Sequence, residues 1–195
     1  WEVAAHEKTA INGRWVEAPV YDFLNTLLRH FPSLPFIAED LGIITPDVRE
    51  VMNFYEFPGM KLLIFAFGED MPTNPYIPHN ISKNSVVYTG THDNNTIRGW
   101  FNREASLEDK QRFFKYMGRE AAEAEVNWEF IRYAMMSVAD TAISPMQDLL
   151  GLGEEGRMNT PSTCSGNWGW RLVPEQITPL IKKCLIEMTE TYGRA

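Results

Sequence analysis

Thiols are scarce in this chain. Cys164 and Cys184 are the only cysteines in 195 residues. Two cysteines make no disulfide framework, so a reducing compartment is the default expectation. No tight His-x-His or helical His pair stands among the four histidines, and no metal or cofactor is expected. Long apolar runs are also missing. None reaches the length that spans a bilayer, and no secretory leader is visible. A cytoplasmic location is therefore expected. The chain opens on Trp1 rather than Met, so a processed or excised N-terminus is expected. Positive charge is the third shortage: 18 Lys and Arg face 26 Asp and Glu, a formal net charge of −8. That balance speaks against a nucleic-acid backbone or an anionic membrane surface as partner. It suits an uncharged small molecule or a glycan.

Apolar residues make up 44% of the chain, enough for a real core. Their periodicity alternates between short runs and helical stripes. Residues 1–15 read as irregular, with a turn at Asn12-Gly13. Phe23, Leu24, Leu27, Leu28 and Phe31 recur at helical spacing between Pro19 and Phe31. Leu34–Ala38 reads as a first strand. Thr45-Pro46 is an N-cap followed by Pro at the first helical position, opening a helix that carries Val48, Val51, Met52 and Tyr55. Met60–Phe67 is a nearly continuous apolar run, as in a strand buried on both faces. A Pro/Asn-rich loop (68–84) leads to a third strand at 85–91. Helical patterns cover 96–117 and 125–140, with a break near Gly118. A short fourth strand begins at Thr141 and runs into a loop or helical turn by Leu150. A polar, Gly-rich loop spans 151–169, and an amphipathic helix closes the chain at 175–192. This β/α alternation predicts an α/β fold with a parallel sheet and helical crossovers. About four β/α units are half of an eight-stranded barrel, and half a barrel leaves two strand edges unpaired.

Two acidic residues stand where apolar runs break into polar loop. Glu39 follows Phe36-Ile37-Ala38, and Asp93 follows the run ending at Thr91. Parallel-barrel enzymes keep their chemistry at the C-terminal ends of strands. Paired carboxylates on different strands are the raw material of glycoside chemistry. Taken singly, Glu39 would be read as a solvated strand end, and Asp93 as a cap of the helix beginning near Thr96.

The surrounding blocks change that weighting. Phe36-Ile37-Ala38-Glu39-Asp40-Leu41-Gly42, Pro58-Gly59-Met60-Lys61, Pro78-His79-Asn80 and Tyr88-Thr89-Gly90-Thr91-His92-Asp93-Asn94 resemble 4-alpha-glucanotransferases. This is the amylomaltase or disproportionating-enzyme family, glycoside hydrolase family 77. Glu7–Trp15, Asn159-Thr160-Pro161 and Asn167–Arg171 fit the same family, in order and across essentially the whole chain. The resemblance implies a glycosidase-like (β/α)8 TIM barrel that moves segments of 1,4-alpha-glucan between maltooligosaccharides by retention. It implies that residues 1–195 are the C-terminal part of a single catalytic barrel domain, with the N-terminal half absent. Glu39 then matches the general acid/base, Asp93 the transition-state stabiliser, and His92 a group that holds sugar hydroxyls. The family's nucleophile, an Asp in an Arg-x-Asp motif, has no match here, so the chain alone is expected to be inactive.

The residues give these roles a physical rationale. Retaining transfer needs two carboxyl groups about 5–5.5 Å apart across the scissile bond, one of them protonated first. The Phe36-Ile37-Ala38 run would desolvate Glu39, and the like charge of Asp40 would also favour its protonated form. Asp40 and His79 join the expected substrate-binding set, His79 through substrate or loop backbone. Asn159, Gln147 and Asp148 are further hydroxyl-binding candidates. Trp100, Trp168, Trp170 and Tyr76 could stack on pyranose faces, with Trp168 and Trp170 favoured by their polar surroundings. The 151–169 loop is a candidate acceptor site. Its Gly151-x-Gly153-x-x-Gly156 matches a dinucleotide fingerprint only in letters, because the following residues read as loop rather than helix. Two other readings stand beside glucan transfer. One is a non-catalytic alpha-glucan-binding module. The other is a metal-dependent hydrolase using His79, His92 and Asp93.

Overall fold

A computed structural model describes residues 1–194. The chain begins with a short antiparallel ladder, β1 (Glu2–Val3) against β2 (Gly13–Arg14), where irregular structure was expected. Two helices follow, α1 (Val20–His30) and α2 (Pro46–Phe54). The apolar stripe of α1 does not make a core. Only Leu24 is buried, while Phe23, Leu28 and Phe31 are exposed, and α2 buries no residue. Tyr21, Phe54, Tyr55, Phe57 and Phe36 instead form a peripheral chain of aromatic contacts between these two helices and the segment before Glu39.

The centre is a parallel three-stranded sheet, β3 (Gly59–Leu62), β4 (Ser85–Tyr88) and β5 (Thr141–Ile143), paired in that order. The expected first strand is reduced to one parallel bridge, Ala38 to Gly59, supported by Ala38 N–H donating to Pro58 O at 2.9 Å. The second strand is also shorter than expected. Its pairing with β4 ends at Leu62–Tyr88, and Leu63-Ile64-Phe65 turns into a 3-10 helix with Leu63 and Ile64 buried and Phe65 exposed. All four segments still run in the same direction, so their C-terminal ends share one edge.

Helices α3 (Ile97–Arg103), α4 (Leu107–Met117), α5 (Val126–Met136) and α6 (Met146–Leu149) pack around this sheet. One helix was expected over 96–117, but there are two. Ser106 starts the second with a reciprocal capping box: its hydroxyl accepts from Asp109 N at 3.0 Å, and Asp109 accepts from Ser106 N at 3.0 Å. The end of α4 lies where the sequence places it, with Gly118 in the left-handed region at φ 78°. Helix α7 (Pro179–Thr191) closes the fold, packing Met188 against Ile131 and Leu149. No described helix is long and apolar enough to cross a membrane.

The main core lies between the sheet and α3, α4 and α5. Phe67, Phe113 and Phe130 are fully buried, with ring centroids 5.0–5.5 Å apart. Truncating a phenyl ring at such a site removes its transfer energy and leaves a cavity. Phe113→Ala should destabilise the fold by about 3–5 kcal/mol. A urea midpoint lowered at unchanged slope checks this, and an unmoved midpoint would remove Phe113 from the core.

Candidate active site

The shared C-terminal edge opens into a cleft of about 570 Å³. Glu39, Tyr88, His92, Asp93, Gln147 and Trp168 are among the residues that line it, drawn from every segment of the sheet. Glu39 arrives directly after the Ala38 bridge and is exposed. Its charge is felt across the cleft. Burial pushes the Tyr88 phenol up, and the Glu39 carboxylate adds to that shift. The expected desolvating wall is missing within this chain, since Phe36 is 41% exposed and Ile37 50%.

Asp40 corrects the expected sugar contact. Its carboxylate is buried, accepts from Met60 N at 2.6 Å, and lies 3.5 Å from Lys61 Nζ. Successive side chains of an extended segment point to opposite faces, so the residue beside the acid faces away from the cleft. A Cβ on Gly59 would lie 2.6 Å from Asp40 Oδ2. The glycine in the Pro58-Gly59-Met60 block is therefore the space in which Asp40 sits. Lys61 also balances the like charge that the sequence placed beside Glu39.

His92 and Asp93 sit on the loop between β4 and α3. Thr96, not Asp93, caps α3, its hydroxyl accepting from Gly99 N at 3.0 Å. That leaves the Asp93 carboxylate free for other partners. Oδ1 accepts from Asn159 Nδ2 at 2.6 Å and lies 3.3 Å from His92 Nε2. The loop is shaped locally: Asn94 Oδ1 accepts from Thr91 N at 2.9 Å and from the Thr91 hydroxyl at 3.0 Å. Asn159 is fixed in turn, its N–H donating to His92 O at 3.0 Å. Asn159 thus sits beside the two site residues, though held by them in this structure.

Trp168 also joins the group. Its indole meets the His92 ring at a centroid distance of 5.1 Å and a tilt of 37°, and it is 51% exposed. It adopts φ 61°, and its N–H donates to Met158 O at 2.7 Å, which draws the far end of the 151–169 loop back over the cleft. An exposed indole beside a polar cluster presents an apolar face where a sugar ring could pack.

Other expected contacts lie elsewhere. His79 is outside the cleft: Nδ1 is 3.1 Å from the Tyr116 hydroxyl and Nε2 is 3.4 Å from Pro72 O. It binds loop backbone, one of its two expected roles. Trp100 is a core residue, packed against Phe130. Asp148 is 2% exposed and binds protein groups rather than presenting to solvent. With His79 absent from the cleft, the metal reading lacks its three-residue ligand set. Among the described residues no group of three or more His, Cys, Asp or Glu is arranged to hold an ion. The Gly151–Gly156 segment ends in a 3-10 turn at Glu154–Gly156, not in a helix that could receive a pyrophosphate.

Sequence reasoning missed Arg157. Its Nη2 donates to Asp93 O at 3.1 Å, Nε to Asn159 O at 3.0 Å, and Nη1 to Glu104 at 3.2 Å. The guanidinium therefore ties together the two backbone segments that carry Asp93 and Asn159. A single Arg in a polar loop has no periodicity to announce this. Its only local signal is proximity to Asn159.

The chain is similar in sequence and in fold to known proteins. The family profile described as 4-alpha-glucanotransferase matches residues 1–176. The 4-alpha-glucanotransferase of Synechocystis sp. is 48% identical over 196 residues, covering 100% of this chain and 38% of the relative. The chloroplastic/amyloplastic 4-alpha-glucanotransferase of Solanum tuberosum is 45% identical over 198 residues, covering 100% of this chain and 34% of its own length. Among solved structures, amylomaltase from Streptococcus agalactiae in complex with acarbose superposes with a TM-score of 0.92 at 37% identity, covering 99% of this chain and 39% of that one. The chain thus spans two-fifths or less of the curated relatives it matches. On sequence and fold together, it belongs to the 4-alpha-glucanotransferase family.

Proposed function

We propose that this chain supplies the acid/base side of a glucan-transferring active site within a longer polypeptide. Its parallel sheet is read as a sector of a closed (β/α)8 barrel, and residues 1–195 as the C-terminal part of one catalytic domain. The missing wall around Glu39 and the exposed faces of α1 and α2 are what such a sector would present before the remaining strands cover it. The observation that carries the reading is the meeting of Glu39 and the His92–Asp93 pair in one cleft, with Trp168 tilted against His92 at its rim.

In this reading a 1,4-alpha-glucan lies in the cleft with its scissile oxygen at Glu39. A carboxylate from the preceding part of the polypeptide attacks the anomeric carbon, while Glu39 gives its proton to the leaving oxygen. The sugar ring gains positive charge as the bond breaks. Asp93, oriented by Asn159 and Arg157, stabilises that charge electrostatically. Glu39 then takes a proton from the 4-hydroxyl of an acceptor glucan, which displaces the enzyme carboxylate with net retention. His92 holds sugar hydroxyls beside Asp93, and Trp168 offers an apolar face to a bound ring. The acarbose held by the Streptococcus agalactiae protein belongs to the same class of 1,4-linked glucan-like ligand. No cofactor enters the reaction. The cytoplasm is the proposed site of action, while the potato relative's name places that protein in a plastid.

The test is incubation of the full-length protein with maltotriose and separation of products by length. Glucose together with maltooligosaccharides longer than the substrate is expected. Binding of maltotriose with no change in chain length, from folded protein, would replace transfer by the glucan-binding module.

A further inference from the structure

We propose that Asp148 is a positioning residue that holds the His92–Asp93 loop by both ends, an inference that rests on the glucan-transfer reading. The loop leaves the sheet after Thr89 and enters α3 at Ile97. Asp148 takes hold of each of these points with a different oxygen. Oδ2 accepts from the Thr89 hydroxyl at 2.6 Å, and Oδ1 accepts from Ile97 N at 2.8 Å. The carboxylate therefore sets the separation between the residue before the loop and the residue after it. Asp148 is itself anchored, because its backbone carbonyl accepts from Asn127 Nδ2 at 2.7 Å, from a side chain of α5.

Three features make this more than incidental packing. Asp148 borders the cleft but is 2% exposed, and both of its carboxylate oxygens are taken by protein groups. The segment is held in the sheet at the same point by a second bond, Thr89 N–H donating to Ile143 O at 3.3 Å. No cation pairs with Asp148 among the described residues, and burial pushes its carboxyl up to about 6 despite the two hydrogen bonds. A carboxyl group is a costly occupant of such a place, and its hydrogen-bonding geometry is what an apolar residue of similar size would lack. Arg157 and Asn159, from the 151–169 loop, hold Asp93 independently of Asp148. The loop that carries Asp93 is thus held at its two ends by Asp148, and the Asp93 carboxylate itself by Asn159 of the 151–169 loop.

The proposal separates hydrogen bonding from charge. In Asp148→Asn the amide oxygen can accept from Ile97 N, and the amide nitrogen can donate to the Thr89 hydroxyl, which accepts as readily as it donates. Asp148→Ala loses both bonds. Steady-state transfer from maltotriose by the full-length protein reads the difference. Misplacing a catalytic group by about 1 Å can cost about 10²-fold, so Asp148→Ala should lose kcat on that scale with KM changed by less than about threefold. Asp148→Asn should recover to within about tenfold of the unaltered protein. Should Asp148→Ala fail to fold, Thr89→Val cuts one hold alone and should lower kcat about tenfold at unchanged KM. Asp148→Ala with full kcat, equal losses in the Ala and Asn variants, or Thr89→Val without effect would overturn the clamp. Absence of transfer by the unaltered protein would remove the underlying reading, and the clamp with it.

Discussion

Replacing Glu39 by Gln in the full-length protein is expected to lower glucan transfer from maltotriose by about 10²–10⁴-fold, the contribution of a positioned general acid/base. The amide keeps the shape of the side chain and its place after the Ala38 bridge, but it cannot give a proton to the departing oxygen. The structural cost should be slight. Glu39 is exposed in this chain, whereas its neighbour Asp40 carries the buried contacts to Met60 N and Lys61. Gln keeps the shape of Glu and no contact described for Glu39 is lost, so the melting temperature of Glu39→Gln should match that of the unaltered protein. Substitution of Asp40 should do the reverse, because it leaves Lys61 without its partner and Met60 N without an acceptor. Retained transfer by a folded Glu39→Gln protein would take the proton role away from Glu39.

Asp93→Asn is the second large effect. A fixed group facing charge that develops in the transition state is typically worth about 10²–10³-fold in kcat. The geometry lets this substitution isolate the charge. The new side-chain amide would still offer an oxygen to Asn159 Nδ2, and the backbone carbonyl at position 93 would still accept from Arg157. The loop should keep its shape while the negative charge is lost. The expected outcome is a fall in kcat of about 10²-fold or more with KM nearly unchanged, since the lost interaction exists only in the transition state. A raised KM with kcat intact would instead make Asp93 a substrate-binding group.

The residues also show why some features were readable in advance and others were not. The end of helix α4 is legible because its signal, Gly118, is local, whereas the Ser106–Asp109 capping box that starts it divides a stretch whose periodicity predicts a single helix. Glu39 and Asp93 stand just beyond strand-like runs, and the sheet carries both to a common edge, but the roles expected of them rest on the family resemblance of the surrounding blocks. The Leu34–Ala38 strand was overread. Strand length depends on a distant partner, and only Ala38 finds one. Asp40 was misassigned through its adjacency to the acid, where the two-residue alternation of extended chain turns neighbours apart. His79 was grouped with the site by its motif, but Tyr116 and Pro72 hold it, two contacts set by tertiary folding. Arg157 and the clamp at Asp148 were invisible for the same reason. The distant groups they hold lie 51–64 residues away along the chain. The stripe of α1 was correctly periodic, yet periodicity does not say whether the surface that covers it lies within this chain.

The most direct test of the central claim compares two donors on the full-length Glu39→Gln protein. Maltotriose needs a proton on its leaving oxygen; maltotriosyl fluoride does not, because fluoride leaves unaided. If Glu39 is the acid of the cleft, donor cleavage should be severely impaired with maltotriose and far less impaired with the fluoride. Equal impairment with both donors would contradict the assignment of Glu39 as the proton donor.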